Sequence, residues 1–320
     1  MMMSLSDVLP AVIPVFCLAG VGIGLRKVRW LTQEADRSLL LIVVNVLTPC
    51  LIFDKILGNQ ALRQPSNLLV PPLFGFCEIL IGIGLCWIFR KHVGLKSEPE
   101  QRTFSLVTGL QNFSYVPFPL IITLFAAQKD TPGVLFVHNL GVDAAMWTLG
   151  LVTLGHASGW REWRKLINPS LIAIILSVLL NVGNFHSLIP RALTTTAAML
   201  GACAFPLGIV FTGATIADQT RQIYSRDSIR PLFWSCFLRL GLIPLTLLTL
   251  ARWLPTSVEL KRVLVVQAAM PAGIFPIILA RLYGGDPATA VRIVIGTSVV
   301  AIFTIPLWIQ FGLRWMDLSP

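Results

Sequence analysis

The chain has 320 residues, 55% of them hydrophobic and only 12% charged, with 25 Lys and Arg against 15 Asp and Glu for a net charge of +10. A soluble domain carries about 25% charged residues, so this composition excludes a soluble enzyme or regulator as the bulk of the chain. The positive balance does not call for nucleic acid, because basic loops lying against anionic lipid account for it.

Ten apolar stretches of spanning length follow one another, near 8–25, 37–57, 69–89, 103–127, 132–155, 168–183, 189–217, 228–251, 261–282 and 287–312. Each approaches the roughly 20 residues that a bilayer core requires of a helix. The first is not a cleaved signal peptide, since only Asp7 precedes its apolar run and the basic cluster Arg26, Lys27 and Arg29 follows it. The second carries Asn45, Thr48 and Pro49, two polar side chains and a kink. The third holds a lone acid, Glu78, and the fifth holds His138, Asn139 and Asp143. Between the fifth and sixth, Trp160 and Trp163 alternate with Arg161, Arg164 and Lys165 in the manner of an interfacial anchor. The sixth is short enough to be tilted or partly interfacial, and the eighth places Arg239 at its middle.

The fourth and ninth stretches are interrupted. One reads Gln111-Asn112-Phe113-Ser114-Tyr115-Val116-Pro117-Phe118-Pro119 and the other Gln267-Ala268-Ala269-Met270-Pro271-Ala272-Gly273-Ile274-Phe275-Pro276. A proline inside a helix deletes a main-chain hydrogen bond and clashes with the preceding turn. In lipid that defect is tolerated only where the freed groups are buried in protein or line a watery cavity. Matched interruptions in two halves of a membrane chain point to a transporter's substrate site.

Other landmarks share nearly the same offset: Pro49 answers Pro206, Gln111 answers Gln267, Pro117 answers Pro271, and Arg102 answers Lys261. A unit of five spans is odd, so the second copy inserts upside down. The expected architecture is an all-α polytopic membrane protein of ten helices in two inverted five-helix repeats, with helices 4 and 9 broken and crossing. The first repeat is expected over 1–155, a short cytoplasmic linker over 156–167, and the second repeat over 168–320. Lys and Arg are about twice as frequent in the loops after odd-numbered spans, which places those loops in the cytoplasm and both termini outside.

After each break a new half-helix begins, and its free N–H groups carry partial positive charge suited to a carboxylate. The half-helix C-termini at the same depth offer carbonyls to a cation. Asn112 and Gln111 are substrate-binding candidates, with Gln267 as their repeat partner; the plainer reading is that these amides satisfy main-chain groups freed by the prolines. Tyr115 lies in the same interruption. Pro117, Pro119, Pro271 and Pro276 shape the crossing, and Gly273 allows close backbone approach. Asn45 and Thr48 are further candidates, although Thr48 can simply cap its own helix.

Glu78 and Asp143 are candidates for proton coupling, or for structural ion pairs with Arg239 as the obvious partner of Glu78. Arg239 attracts an anionic substrate, balances an acid, or snorkels outward. The six cysteines form no CxxC pair and have no His at ligand spacing, so no metal is expected. Gly20-Val21-Gly22-Ile23-Gly24 and Gly82-Ile83-Gly84 lie within apolar spans, where helix packing explains them better than nucleotide binding. No P-loop or hydrolase constellation is present, so neither cofactor nor enzymatic activity is expected.

Gly109 through Leu120, with Ala268 through Ala272, Ala280 through Gly284, Asn168 through Ala173 and Asn45 through Phe53, together resemble the auxin efflux carrier family in its short prokaryotic form. The resemblance implies a permease in the cytoplasmic membrane of a prokaryote, related to the bile acid–sodium symporters, that moves a small organic anion by alternating access. It carries Asn112 over as the carboxylate-binding amide and Pro117 and Pro271 as crossover residues. Ser114-Tyr115-Val116 stands where the family often has glycine-rich sequence, and the long hydrophilic loop of the plant carriers is absent, which makes auxin itself a poor guess. Proton coupling, sodium coupling, uniport, a homodimer, and a non-transporting sensor of the same fold stay open on this reading.

Overall fold

The computed structural model describes residues 5–156, 164–219 and 229–318; Trp160, Arg161 and Trp163 of the expected anchor, and most of the expected linker, lie outside the described residues. Helical segments in chain order are α1 (Leu5–Lys27), α2 (Gln33–Ile56), α3 (Ser66–Phe89), α4 (Glu98–Gly109), α5 (Pro117–Leu124), α6 (Thr131–Thr153), α7 (Pro169–Val182), α8 (Arg191–Asp218), α9 (Ile229–Trp253), α10 (Val258–Ala268), α11 (Phe275–Leu282) and α12 (Pro287–Trp315). Among the described residues, 7 are long and apolar enough to cross a bilayer. The 14-residue α7 is apolar but short, spanning about 21 Å at 1.5 Å per residue. No named strand occurs among the described residues, only an isolated antiparallel bridge between Gln111 and Ala272.

Local chemistry starts the helices where it should. Ser97 opens α4 with a capping box, its hydroxyl accepting from Glu100 N while the Glu100 carboxylate accepts from Ser97 N. Asn168, Ser257 and Asp286 cap α7, α10 and α12 through the N–H groups of Leu171, Leu260 and Thr289.

Proline placement also explains two π-turns inside long helices. One covers Val43–Leu47 in α2 shortly before Pro49, and the other covers Leu238–Leu242 in α9 shortly before Pro244. A proline cannot donate to the carbonyl four residues back and its ring crowds that carbonyl, so a widened turn relieves the clash. The carbonyl that Pro244 leaves without its helical donor, Leu240 O, instead accepts from Trp308 Nε1 at 2.6 Å.

The helices gather into two groups, each drawing on both halves of the chain. α1, α2, α7 and α8 form a panel, while α3 to α6 and α9 to α12 form a bundle beside it. Small residues let the backbones close up. A Cβ on Gly22 would strike Val210 O, and one on Gly213 would strike Ala19 O, so α1 and α8 meet main chain to main chain. Gly141 and Gly75 do the same for α3 and α6, against Pro72 O and His138 O. Of the two glycine runs in the sequence, Gly22 and Gly82 make such contacts, whereas Gly20, Gly24 and Gly84 face open space.

Polar ties fix the panel at its ends. Arg26 pairs with Asp36 at 2.6 Å and Asp218 at 3.3 Å, clasping α1, α2 and α8. At another corner Asn181 of α7 donates to Asn59 O at 2.6 Å, and Asn59 donates to Asp130 O at 2.9 Å, joining panel to bundle.

Candidate functional site

The interrupted helices α4–α5 and α10–α11 cross in the bundle and pair main chain to main chain. Asn112 N donates to Pro271 O at 2.8 Å, and Gly273 N donates to Leu110 O at 2.9 Å. These bonds consume some of the groups that the breaks set free and tie the two interruptions together. Gly273 is required here, since a Cβ would lie 2.8 Å from Gln111 O. The prolines sit at helix starts rather than in helix interiors. Pro117 opens α5, where its missing N–H costs nothing, and Pro276 occupies the first turn of α11. Pro119 lies in the first turn of α5, and Pro271 lies in the break itself, offering its carbonyl to the partner strand.

Arg239, wholly buried, lies against this crossing. Its Nε donates to Met270 O at 3.0 Å, with longer contacts from Nη1 to Gly109 O at 3.5 Å and Gln111 Oε1 at 3.4 Å, and from Nη2 to Ala268 O at 3.5 Å. One guanidinium thus serves the carbonyl ends of both α4 and α10. Gln111 is likewise fully committed, because its Nε2 donates to Glu78 Oε1. Glu78 and Arg239 are therefore joined through one amide rather than directly. His138 Nε2 lies 3.5 Å from the same Glu78 oxygen, and its Nδ1 lies 3.3 Å from Asn139 Oδ1.

The network continues into the second interruption's amide. Gln267 Nε2 donates to Phe113 O at 3.0 Å and to Asn139 Oδ1 at 3.1 Å, while Asn139 Nδ2 donates to Phe113 O at 2.9 Å. Two side chains thus hold the first interruption by a single carbonyl. Thr297 of α12 accepts from Ala272 N at 3.3 Å and returns its own proton to Ile293 O at 2.7 Å.

Asn112 stands apart. Its residue is 8% exposed, and its side-chain amide makes no hydrogen bond among the described residues. The main-chain N–H groups of 113–116 likewise find no acceptor among those residues. The adjoining wall is aromatic: Tyr115 lies over Gly208 of α8 and meets Phe205 edge-on at 6.1 Å, and Phe118 stacks on Phe205 at 4.1 Å. The first interruption therefore faces the panel. Beside the first turn of α11 lies a small apolar cavity of about 10 Å³, lined by Thr215, Ile216, Ile274, Ile277 and Val291 among others.

The remaining candidates lie elsewhere. Asn45 is exposed in the π-turn of α2 and donates to its own Leu41 O at 3.0 Å, with Thr48 half-buried in the next turn. Asp143 is half-buried one turn beyond Asn139, and it has no ion pair or side-chain hydrogen bond among the described residues. Thr297, Trp308 and Phe205 are contributions that sequence reasoning did not single out. The signal for Trp308 was present, since Pro244 obliges Leu240 O to find a donor from another helix.

A multi-pass membrane protein built around two crossed, interrupted helices belongs to the class of membrane transport proteins. The comparisons agree with that class and refine it. The family described as membrane transport protein matches residues 7–309. This chain belongs to that family, and the kinship with auxin efflux carriers is shown with it. An uncharacterized transporter of Methanocaldococcus jannaschii is 24% identical over 288 residues, covering 87% of this chain and 90% of its own length. An uncharacterized transporter of Escherichia coli is 21% identical over 320 residues, covering 95% of this chain and 96% of its own. Auxin efflux carrier component 3 of Arabidopsis thaliana is 25% identical over 155 residues, covering 47% of this chain and 24% of its own.

Proposed function

We propose that the chain is a secondary carrier, not an enzyme, that moves a small organic anion bearing a carboxylate across the cytoplasmic membrane of a prokaryote. In this reading the seven long helices, the short α7 and the two interrupted pairs make ten spans, arranged as two inverted five-span repeats with both termini outside. The observation that carries it is the crossing itself. Two half-helix pairs meet at Asn112–Pro271 and Leu110–Gly273, leaving free N–H groups and an unpartnered amide beside the aromatic contact with the panel. A carboxylate at Asn112 would accept from that amide and from the unused main-chain N–H groups of 113–116, just ahead of α5, where the helix dipole favours negative charge. Its body would lie against Tyr115 and Phe205. Alternating access would follow from movement of the bundle against the panel, with the crossing carried as one unit because its hydrogen bonds close on themselves.

A thermal-shift panel of mono-, di- and aromatic carboxylates on purified protein, with Asn112→Ala alongside, tests this. A carboxylate that raises the melting temperature of the wild type and not of the variant supports the reading. Equal stabilisation of both removes Asn112 from the site, and no shift with any carboxylate argues against an organic-acid carrier.

A further inference from the structure

Carriers with interrupted helices commonly use the carbonyl ends of the half-helices to coordinate a coupling sodium ion. In this protein those ends are occupied by the protein's own cation. Arg239 reaches Gly109 O of α4, and Met270 O and Ala268 O of α10 and its break, together with Gln111 Oε1. Each half-helix C-terminus carries the equivalent of about −0.5 charge, so two converging ends match one guanidinium. An arginine at mid-membrane is costly to bury unless it is partnered, and these oxygens are what offsets that cost.

The placement is built rather than incidental. The π-turn Leu238–Leu242 carries Arg239, Pro244 follows it closely, and Trp308 secures the carbonyl left over. Glu78, linked through Gln111, supplies the counter-charge, and His138 faces Glu78 from α6.

We infer that Arg239 is the resident cation of the crossover, taking the place that a coupling sodium would fill, so that the carrier works without sodium. The inference rests on the proposed transport reading for its meaning, but its test needs no substrate and can fail separately. A planar five-donor guanidinium held by oxygens from two helix ends should be replaceable by free guanidinium once the side chain is cut back.

The experiment is thermal unfolding of purified wild type, Arg239→Ala and Arg239→Lys in choline, potassium and sodium chloride at equal ionic strength, with and without millimolar guanidinium chloride. The wild type is expected to melt at the same temperature in all three salts. Arg239→Ala is expected to melt several degrees lower and to regain most of that loss with guanidinium, which should not stabilise the wild type. A wild type stabilised by sodium over choline and potassium would overturn the inference. An alanine variant as stable as wild type would also overturn it, as would one indifferent to guanidinium. Should Arg239→Ala fail to fold, the wild-type sodium titration still decides, and Arg239→Lys must fold yet melt below wild type for the inference to stand.

Discussion

The two interruptions of the bundle are alike in the main chain and unlike in their side chains. Each presents one N–H to the other's carbonyl, so neither could be read as the donor and the other as the acceptor. The amide pair that answers across the halves is engaged in both cases: Gln111 joins Glu78 to Arg239 through both ends of its amide, and Gln267 clamps Phe113 O and Asn139 through Nε2, its buried Oε1 having no partner among the described residues. Only the first interruption has a second amide, Asn112, and that one has no partner among the described residues. The second has Ala268 at the corresponding place, followed by small and apolar residues through Ala272. Near-symmetric backbone breaks thus build the crossing, and one asymmetric residue leaves an uncommitted amide beside it.

That division can be tested by stability, from the costliest change to the cheapest. Gln111→Leu should destabilise most, by about 3 kcal/mol, because it strips buried Glu78 and Arg239 of their shared partner. Gly273→Ala should follow at about 2 kcal/mol, since its methyl would press on Gln111 O and part the paired strands. Gln267→Ala should cost about 1–2 kcal/mol, losing two hydrogen bonds while Asn139 still holds Phe113 O. Asn45→Ala, which removes only a bond from an exposed amide to its own helix, should stay within about 0.5 kcal/mol. Unfolding in mixed micelles reads all four. An order in which Asn45→Ala outranks Gln111→Leu would dissolve the distinction between crossing and panel.

Much of this was legible in the sequence, for reasons that were local. Pro117, Pro271 and Pro276 mark the interruptions because a missing N–H has meaning wherever it falls, and Arg239 stood out because charge is expensive at that depth. What Arg239 does was not legible. Its contacts lie 31 residues away at Met270 and 130 away at Gly109, and they depend on the register of three packed helices. Asn45 shows the converse failure. It shares with Arg239 a π-turn just before a proline, and sequence cannot tell which turn faces the crossing and which faces outward. Tyr115 could be read only as a member of the interruption, because its neighbour Gly208 belongs to the panel and to the other half of the chain.

The most direct measurement is uptake, into proteoliposomes, of the carboxylate that stabilises the protein best, by wild type, Asn112→Ala and Asn45→Ala. The account predicts that Asn112→Ala loses about tenfold or more of its flux, equivalent to about 1.4 kcal/mol, while Asn45→Ala transports as wild type. Undiminished flux through Asn112→Ala, or an equal loss in both variants, would contradict the placement of the site at the crossing.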